Sequence, residues 1–223
     1  VLNDNRLSEL PAQLFNGLDN LERIFLYNNH LQIFHGGMFK DLKQLTVLSS
    51  NYNKLRSVPG DLFMGLVNLQ TVELSDNELV TLPSRLFRNV TKLIRVVLAD
   101  NEFVTLPSKL FHGLENLREL LLYGNRLVSL DANMFEGLTQ LTHIFIDDNA
   151  LNIWPAQLTT GLTNMLDLRL NQNQLVSLDN NTFQGMTWLY VLSLKMNRLR
   201  SLPIGLFSGL VYLEYLYLDS NQI

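Results

Sequence analysis

The sequence predicts an α/β solenoid bent into a horseshoe, with a parallel β-sheet on its concave side and a mostly irregular or 3-10 convex side. Three observations predict it. Asparagine recurs every 24 residues from Asn5 to Asn221, with no insertion or deletion. Phenylalanine follows ten residues later in every complete unit but one, and all six prolines lie six residues after the asparagine. A period in this range marks stacked supersecondary units, each too small to bury its own apolar face and each covering its neighbour.

Each part of the unit has a physical reason. Ahead of the asparagine, apolar residues alternate with free ones, as in "HIFIDDN", residues 143–149. This period of two turns Ile144 and Ile146 inward and His143, Phe145 and Asp147 outward on one short strand. A connection of this length returns the chain beside its start, so the strands are parallel. The asparagine amide carries two donors and an acceptor, which suits it to satisfy backbone groups in the turn after each strand. Proline opens the outer stretch, where no ladder donor is needed. The phenylalanines, Phe15 to Phe207 with Thr159 as the exception, form an apolar spine on the convex side. Glycine occupies the twelfth place of most units, as at Gly113 and Gly137. Three departures occur. Ser50 takes a core leucine position and is expected to loosen its strand, Met165 replaces a unit's first leucine, and Trp154 fills an apolar slot.

One unit reads LRELLLYGNRLVSLDANMFEGLTQ, residues 117–140. It resembles the leucine-rich repeat family in its 24-residue extracellular type, with the pattern LxxLxLxxNxLxxLPxxLFxGLxx, and the resemblance runs through residues 1–223 as a single array of about nine units. The uniform units look most like the variable lymphocyte receptors and Toll-like receptor ectodomains. The resemblance implies a non-catalytic protein-recognition module without cofactors, extracellular, as a secreted protein or the ectodomain of a cell-surface protein of immune type. Adhesion or matrix assembly and a purely structural scaffold are the alternatives it leaves. Family members carry terminal caps that are usually rich in cysteine. This chain opens inside a strand, closes just after another and holds no cysteine, so the caps are expected to be absent from it.

Composition narrows the partners. The chain is 47% hydrophobic and only 17% charged, with a net charge of −4, which argues against a nucleic-acid grip because that needs a basic face. No apolar run is long enough to span a membrane. An uncapped end would expose a slice of leucine core, so a homodimer is possible.

Function in a repeat scaffold rests on positions that the repeat leaves free. These lie six, four, two and one residues before each asparagine. Together they hold nine carboxylates against four bases, a balance of −5, so the negative charge gathers on the concave face and would steer a protein ligand with a basic patch there. Within these columns Val97, Leu121 and Phe145, with Tyr123 and Ala99 beside them, are expected to form an exposed apolar cluster ringed by charge, the composition of an interface core. The candidate ligand-binding residues are Arg95, Val97, Glu119, Leu121, Tyr123, His143, Phe145, Asp147, Asp148, Asp167 and Arg169. Phe25, Tyr27 and Tyr52 form a secondary patch, and Tyr215 and Tyr217 a third group.

His143, between Glu119 and Asp167 in its column, gives an acid–histidine–acid row. Such a row could hold a metal or orient a base. No nucleophile stands beside it, however, and a flat sheet does not exclude water, so the row reads as a charge ladder Arg95–Glu119–His143–Asp167, with a metal-dependent site as the remote alternative. Asn89 and Asn180 open two glycosylation sequons on the convex or turn side, where glycans would leave the concave face clear.

Overall fold

The computed structural model describes residues 1–223 and contains one nine-stranded parallel sheet whose strand order follows the chain. The strands are β1 Arg23–Phe25, β2 Val47–Ser49, β3 Thr71–Glu73, β4 Arg95–Val97, β5 Glu119–Leu121, β6 His143–Phe145, β7 Asp167–Arg169, β8 Val191–Ser193 and β9 Tyr215–Tyr217. Each residue pairs with its counterpart in the next unit, as Arg95 with Glu119 and Val97 with Leu121. The stack curves into the expected horseshoe with the sheet on its concave side. The only helical segment is a short 3-10 turn, Ala156–Thr159.

A continuous core of 60 buried apolar residues runs the length of the stack. The phenylalanine spine lies within it. Phe63, Phe87, Phe111 and Phe135 follow one another at centroid separations of 5.7 to 6.4 Å, and Phe183 stacks on Phe207 at 6.4 Å. Thr159 interrupts the spine and is buried, its hydroxyl bonded to the carbonyl oxygen of Thr182. The same unit carries buried Trp154 in a slot that elsewhere holds Leu82, Leu106 or Leu130. A larger side chain thus accompanies the smaller one inside a single unit.

The asparagine ladder is regular. Asn101 shows the pattern: its amide nitrogen donates to the carbonyls of Leu74, Leu98 and Ala99 at 2.9, 3.3 and 3.0 Å, and its carbonyl accepts the Leu79 amide at 3.0 Å. Every asparagine from Asn29 to Asn221 repeats the bond to the preceding unit's backbone, for example Asn53 to Leu26, Asn173 to Ile146 and Asn221 to Leu194. A turn that would bury unpaired backbone groups is thereby satisfied.

Ser50 does not loosen its strand. It is fully buried, its amide donates to Glu73 at 2.8 Å, and its hydroxyl accepts from the Asn53 amide at 3.2 Å. The ladder asparagine supplies the partner that a buried hydroxyl needs, and β2 keeps the length of its neighbours.

Candidate functional site

The concave surface is built by residues six, four and two places before the ladder asparagine. The residue one place before it is not a strand residue. Asp4, Asn28, Tyr52, Asp76, Asp100, Asp148, Gln172, Met196 and Ser220 all have φ between 51° and 59°, and Gly124 has 64°. This left-handed turn favours glycine, asparagine and aspartate, which explains most of the column. Tyr52, Gln172 and Met196 adopt it against their preference. At Gly124 the carboxylate of Asp100 leans so close that an added Cβ would clash with its Oδ1.

The predicted apolar cluster exists as a unit of its own, separate from the main core, but its centre is not exposed. Val97 and Leu121 are only 5% and 7% accessible, and Ala99 is fully buried. Adjacent strands hold these side chains side by side, and the half-buried rings of Tyr123 and Phe145 close over them. The surface a ligand can touch is therefore the two rings and the charged groups around them.

Those charged groups are paired in a specific way. Arg95 bonds Glu119 and lies 3.7 Å from Glu73. Arg169 turns back onto Asp167 of its own strand, at 2.9 Å, with its guanidinium carbon 4.3 Å above the Phe145 ring. The hydrogen bonds that Arg169 donates to Asp167 raise the pKa of the guanidinium, and Asp167 itself is buried. His143 packs its ring edge-on to Phe145 at 6.0 Å, and its Nδ1 lies 2.9 Å from the Thr142 hydroxyl. The ladder thus forms between Arg95 and Glu119 but does not run on through His143, because each flanking carboxylate has taken an arginine. No group of three His, Asp or Glu side chains converges to hold a metal ion, so the acid–histidine–acid row does not assemble as a ligand set.

Along the strand-exit edge, Asp76, Asp100, Asp147 and Asp148 form an acidic strip. Burial pushes the carboxyl of Asp147 up, against a backbone hydrogen bond and the Arg169 charge, with smaller upward contributions from Asp148 and Asp167. Asp100 is raised by desolvation first and then by Asp76, Asp148 and Asp147, and Asp76 is raised by desolvation against a hydrogen bond from Ser75. The Tyr123 phenol beside them is raised likewise, by desolvation first. Near one end, Phe25 and Tyr27 meet edge-on at 6.3 Å, and Tyr52 stands 60% exposed in the exit turn. Asn89 and Asn180 are exposed, while Thr182 of the second sequon is fully buried. Asn89 fills the glycine place of its unit with φ 71°, so the residue type has a backbone cause as well.

Sequence reasoning missed an aromatic platform on the opposite, strand-entry edge. Nine residues before the ladder asparagine most units carry an amide, and Asn68, Asn116 and Asn164 each donate to the preceding unit's backbone, at Lys43, Thr91 and Thr139. The eighth and ninth units carry Trp188 and Tyr212 instead. Their rings stack at 4.6 Å, nearly parallel, each 52% exposed. Tyr190 and Tyr215 meet edge-on beside them at 5.3 Å, and the Tyr190 phenol is raised by its hydrogen bond to Glu214. Trp188, Tyr190 and Tyr212, with Leu166, Asp167 and His143, border a cleft of about 390 Å³. The signal was legible in the sequence as a break in a polar column, outside the four columns read as free.

The leucine rich repeat family pattern matches residues 1–55, 91–151 and 161–223. Among solved structures the chain is similar to a leucine-rich repeat protein of Leptospira interrogans, with 30% identity, 97% of this chain and 53% of that one covered, and a TM-score of 0.87. It is similar to Toll in the Drosophila Toll–Spätzle complex, with 29% identity, 98% and 31% covered, and a TM-score of 0.91. It is also similar to TLR13 in its complex with ssRNA13, with 29% identity, 97% and 32% covered, and a TM-score of 0.88. The chain therefore spans about half the length of the first of these and about a third of the other two. No curated protein sequence gives a significant match. No helix is long and apolar enough to cross a membrane.

Proposed function

The chain belongs to the leucine-rich repeat family, and from that premise we propose that it is a non-catalytic recognition module that takes a protein ligand with a basic patch on its concave face. One observation carries the reading. The half-exposed rings of Tyr123 and Phe145 sit over a small apolar platform that the repeat does not require, and the acidic strip borders them. Aromatic anchors with charge around them are the usual centre of binding energy in protein interfaces. The negative strip would raise the encounter rate with a basic surface. The aromatic ledge of Trp188, Tyr190 and Tyr212 extends the accessible contact area beyond the sheet. A receptor-type, extracellular setting and an immune role agree with the similarity to Toll and TLR13, and they remain part of the same proposal.

The test is a binding screen of the chain against secreted and cell-surface proteins, repeated with Phe145→Ala and Tyr123→Ala. Ligands that bind the parent and lose at least about tenfold in affinity with both variants support the concave site. Ligands indifferent to both substitutions would move recognition elsewhere.

A further inference from the structure

Two columns of the convex side hold a block of like charge. Arg85 and Lys109 occupy the same place in consecutive units, eight residues after Asn77 and Asn101. Arg88 and His112 do so eleven residues after the same asparagines. All four side chains are exposed, and they line one depression of about 470 Å³ together with Ser84 and Asn89. No carboxylate lines it. None of the four makes an ion pair: every ion pair in the molecule involves other bases, namely His35, Arg56, Arg95, Arg126, Arg169 and Lys195. Asp61 and Glu136 hold the equivalent places one unit to either side, yet neither pairs with the block. Asp131 and Glu136 border only the adjoining depression, which Lys109 and His112 share.

Stability does not account for this arrangement. Like charges at neighbouring repeat positions repel, and a protein of net charge −4 has carboxylates to spare for pairing them. The core beneath, Phe87 and Leu110, is complete without the charged side chains. Three permanent cations and an imidazole facing one shallow depression form a receptor for dense tetrahedral oxyanions.

We propose that this convex depression binds the sulfate groups of a sulfated polysaccharide, independently of the concave protein site. A nucleic-acid strand fits less well. Phe87 is buried, so the depression offers no exposed ring for base stacking. Asn89 lies in the same depression, so a glycan attached there would occupy the site.

The experiment uses unglycosylated protein and a heparin-derived sulfated hexasaccharide, followed by calorimetry at two salt concentrations. Arg85→Gln, Arg88→Gln and Lys109→Gln combined should weaken binding by about tenfold or more and lower the salt slope by roughly two to three. The melting temperature should stay unchanged, and a control triple at Lys43, Lys54 and Arg200 should bind like the parent. Absence of binding by the parent, equal binding of the desulfated sugar, or equal loss in the control would overturn the proposal. So would tighter binding of a single-stranded RNA of matched charge, which would reassign the patch to phosphate. Phe145→Ala should leave hexasaccharide binding intact, which separates this result from the fate of the concave site.

Discussion

Arg169 spans two strands: its guanidinium covers the Phe145 ring at 4.3 Å while its nitrogens hold Asp167. An aromatic, a cation and a buried carboxylate are thereby fixed in one geometry before any ligand arrives. Phe145→Ala removes the platform of Arg169 but little of the core, so stability should fall by no more than about 1.5 kcal/mol while ligand affinity falls about tenfold or more. Leu121→Asp is a different experiment. Leu121 is buried, and a charge there should cost about 2–4 kcal/mol in urea denaturation whatever binds. Equal stability loss from the two changes would mean that Phe145 is core and not contact surface.

Asn101→Asp keeps the acceptor for the Leu79 amide but loses both donors, leaving three carbonyls without that partner and placing a carboxylate in a buried turn. A cost of about 3 kcal/mol is expected. The same change at Asn5 should cost under about 1 kcal/mol, since Asn5 is exposed and its side chain bonds only within its own turn. Chemical denaturation of both variants measures the contrast, and comparable losses would contradict the ladder's role.

The carboxyls of Asp76, Asp100 and Asp147 all lie above the ordinary 3.8, chiefly through desolvation. A raised carboxyl holds its proton more tightly in the folded chain than in the unfolded one. Its contribution is therefore fully present below the unfolded pKa and is lost as pH rises through the folded value. At neutral pH these groups work against the fold. Asp100→Asn should raise the melting temperature at pH 7, and the gain should vanish below about pH 4. Affinity for a basic ligand should fall as pH drops through the same window. A gain that persists at low pH would show that charge is not its source.

Trp188→Asn restores the amide that Asn164 and Asn116 use, with the Thr163 carbonyl as its counterpart acceptor. Stability should hold or rise by about 1 kcal/mol, while binding of a ligand that reaches the strand-entry ledge should weaken. Thermal melts and binding on one sample decide it. Lower stability with unchanged binding would make the ring structural.

Within one unit Thr159 is smaller than the spine phenylalanine it replaces and Trp154 larger than the usual leucine, and both are buried. Thr159→Phe alone should overpack, costing about 1–3 kcal/mol, and Trp154→Leu alone should leave a void costing about 2–4 kcal/mol. The double variant should lose less than the sum of the two. Simple additivity in a double-mutant cycle would disprove the compensation.

The phases of the repeat were legible because the core is one-dimensional: each leucine, asparagine and phenylalanine meets its own kind in the next unit. Accessibility was not legible. Val97 and Leu121 occupy outward places, yet Tyr123 and Phe145 cover them, and covering depends on rotamers and curvature. Nor was pairing, since Arg169 had several acids in reach and took Asp167. The turn column could have been read from its aspartates, asparagines and Gly124, the residues that tolerate a left-handed backbone.

The side-chain amide of each ladder asparagine from Asn29 onward bonds only its own unit and the one before it, as that of Asn125 bonds Leu98 and Leu122. Excising or duplicating one whole unit therefore leaves every surviving bond with an equivalent mate. Length and arc of the array are thus heritable variables that unequal recombination can change in single steps, without inventing a new fold. The concave columns are carried along as an interchangeable alphabet, and a new order of units is a new surface.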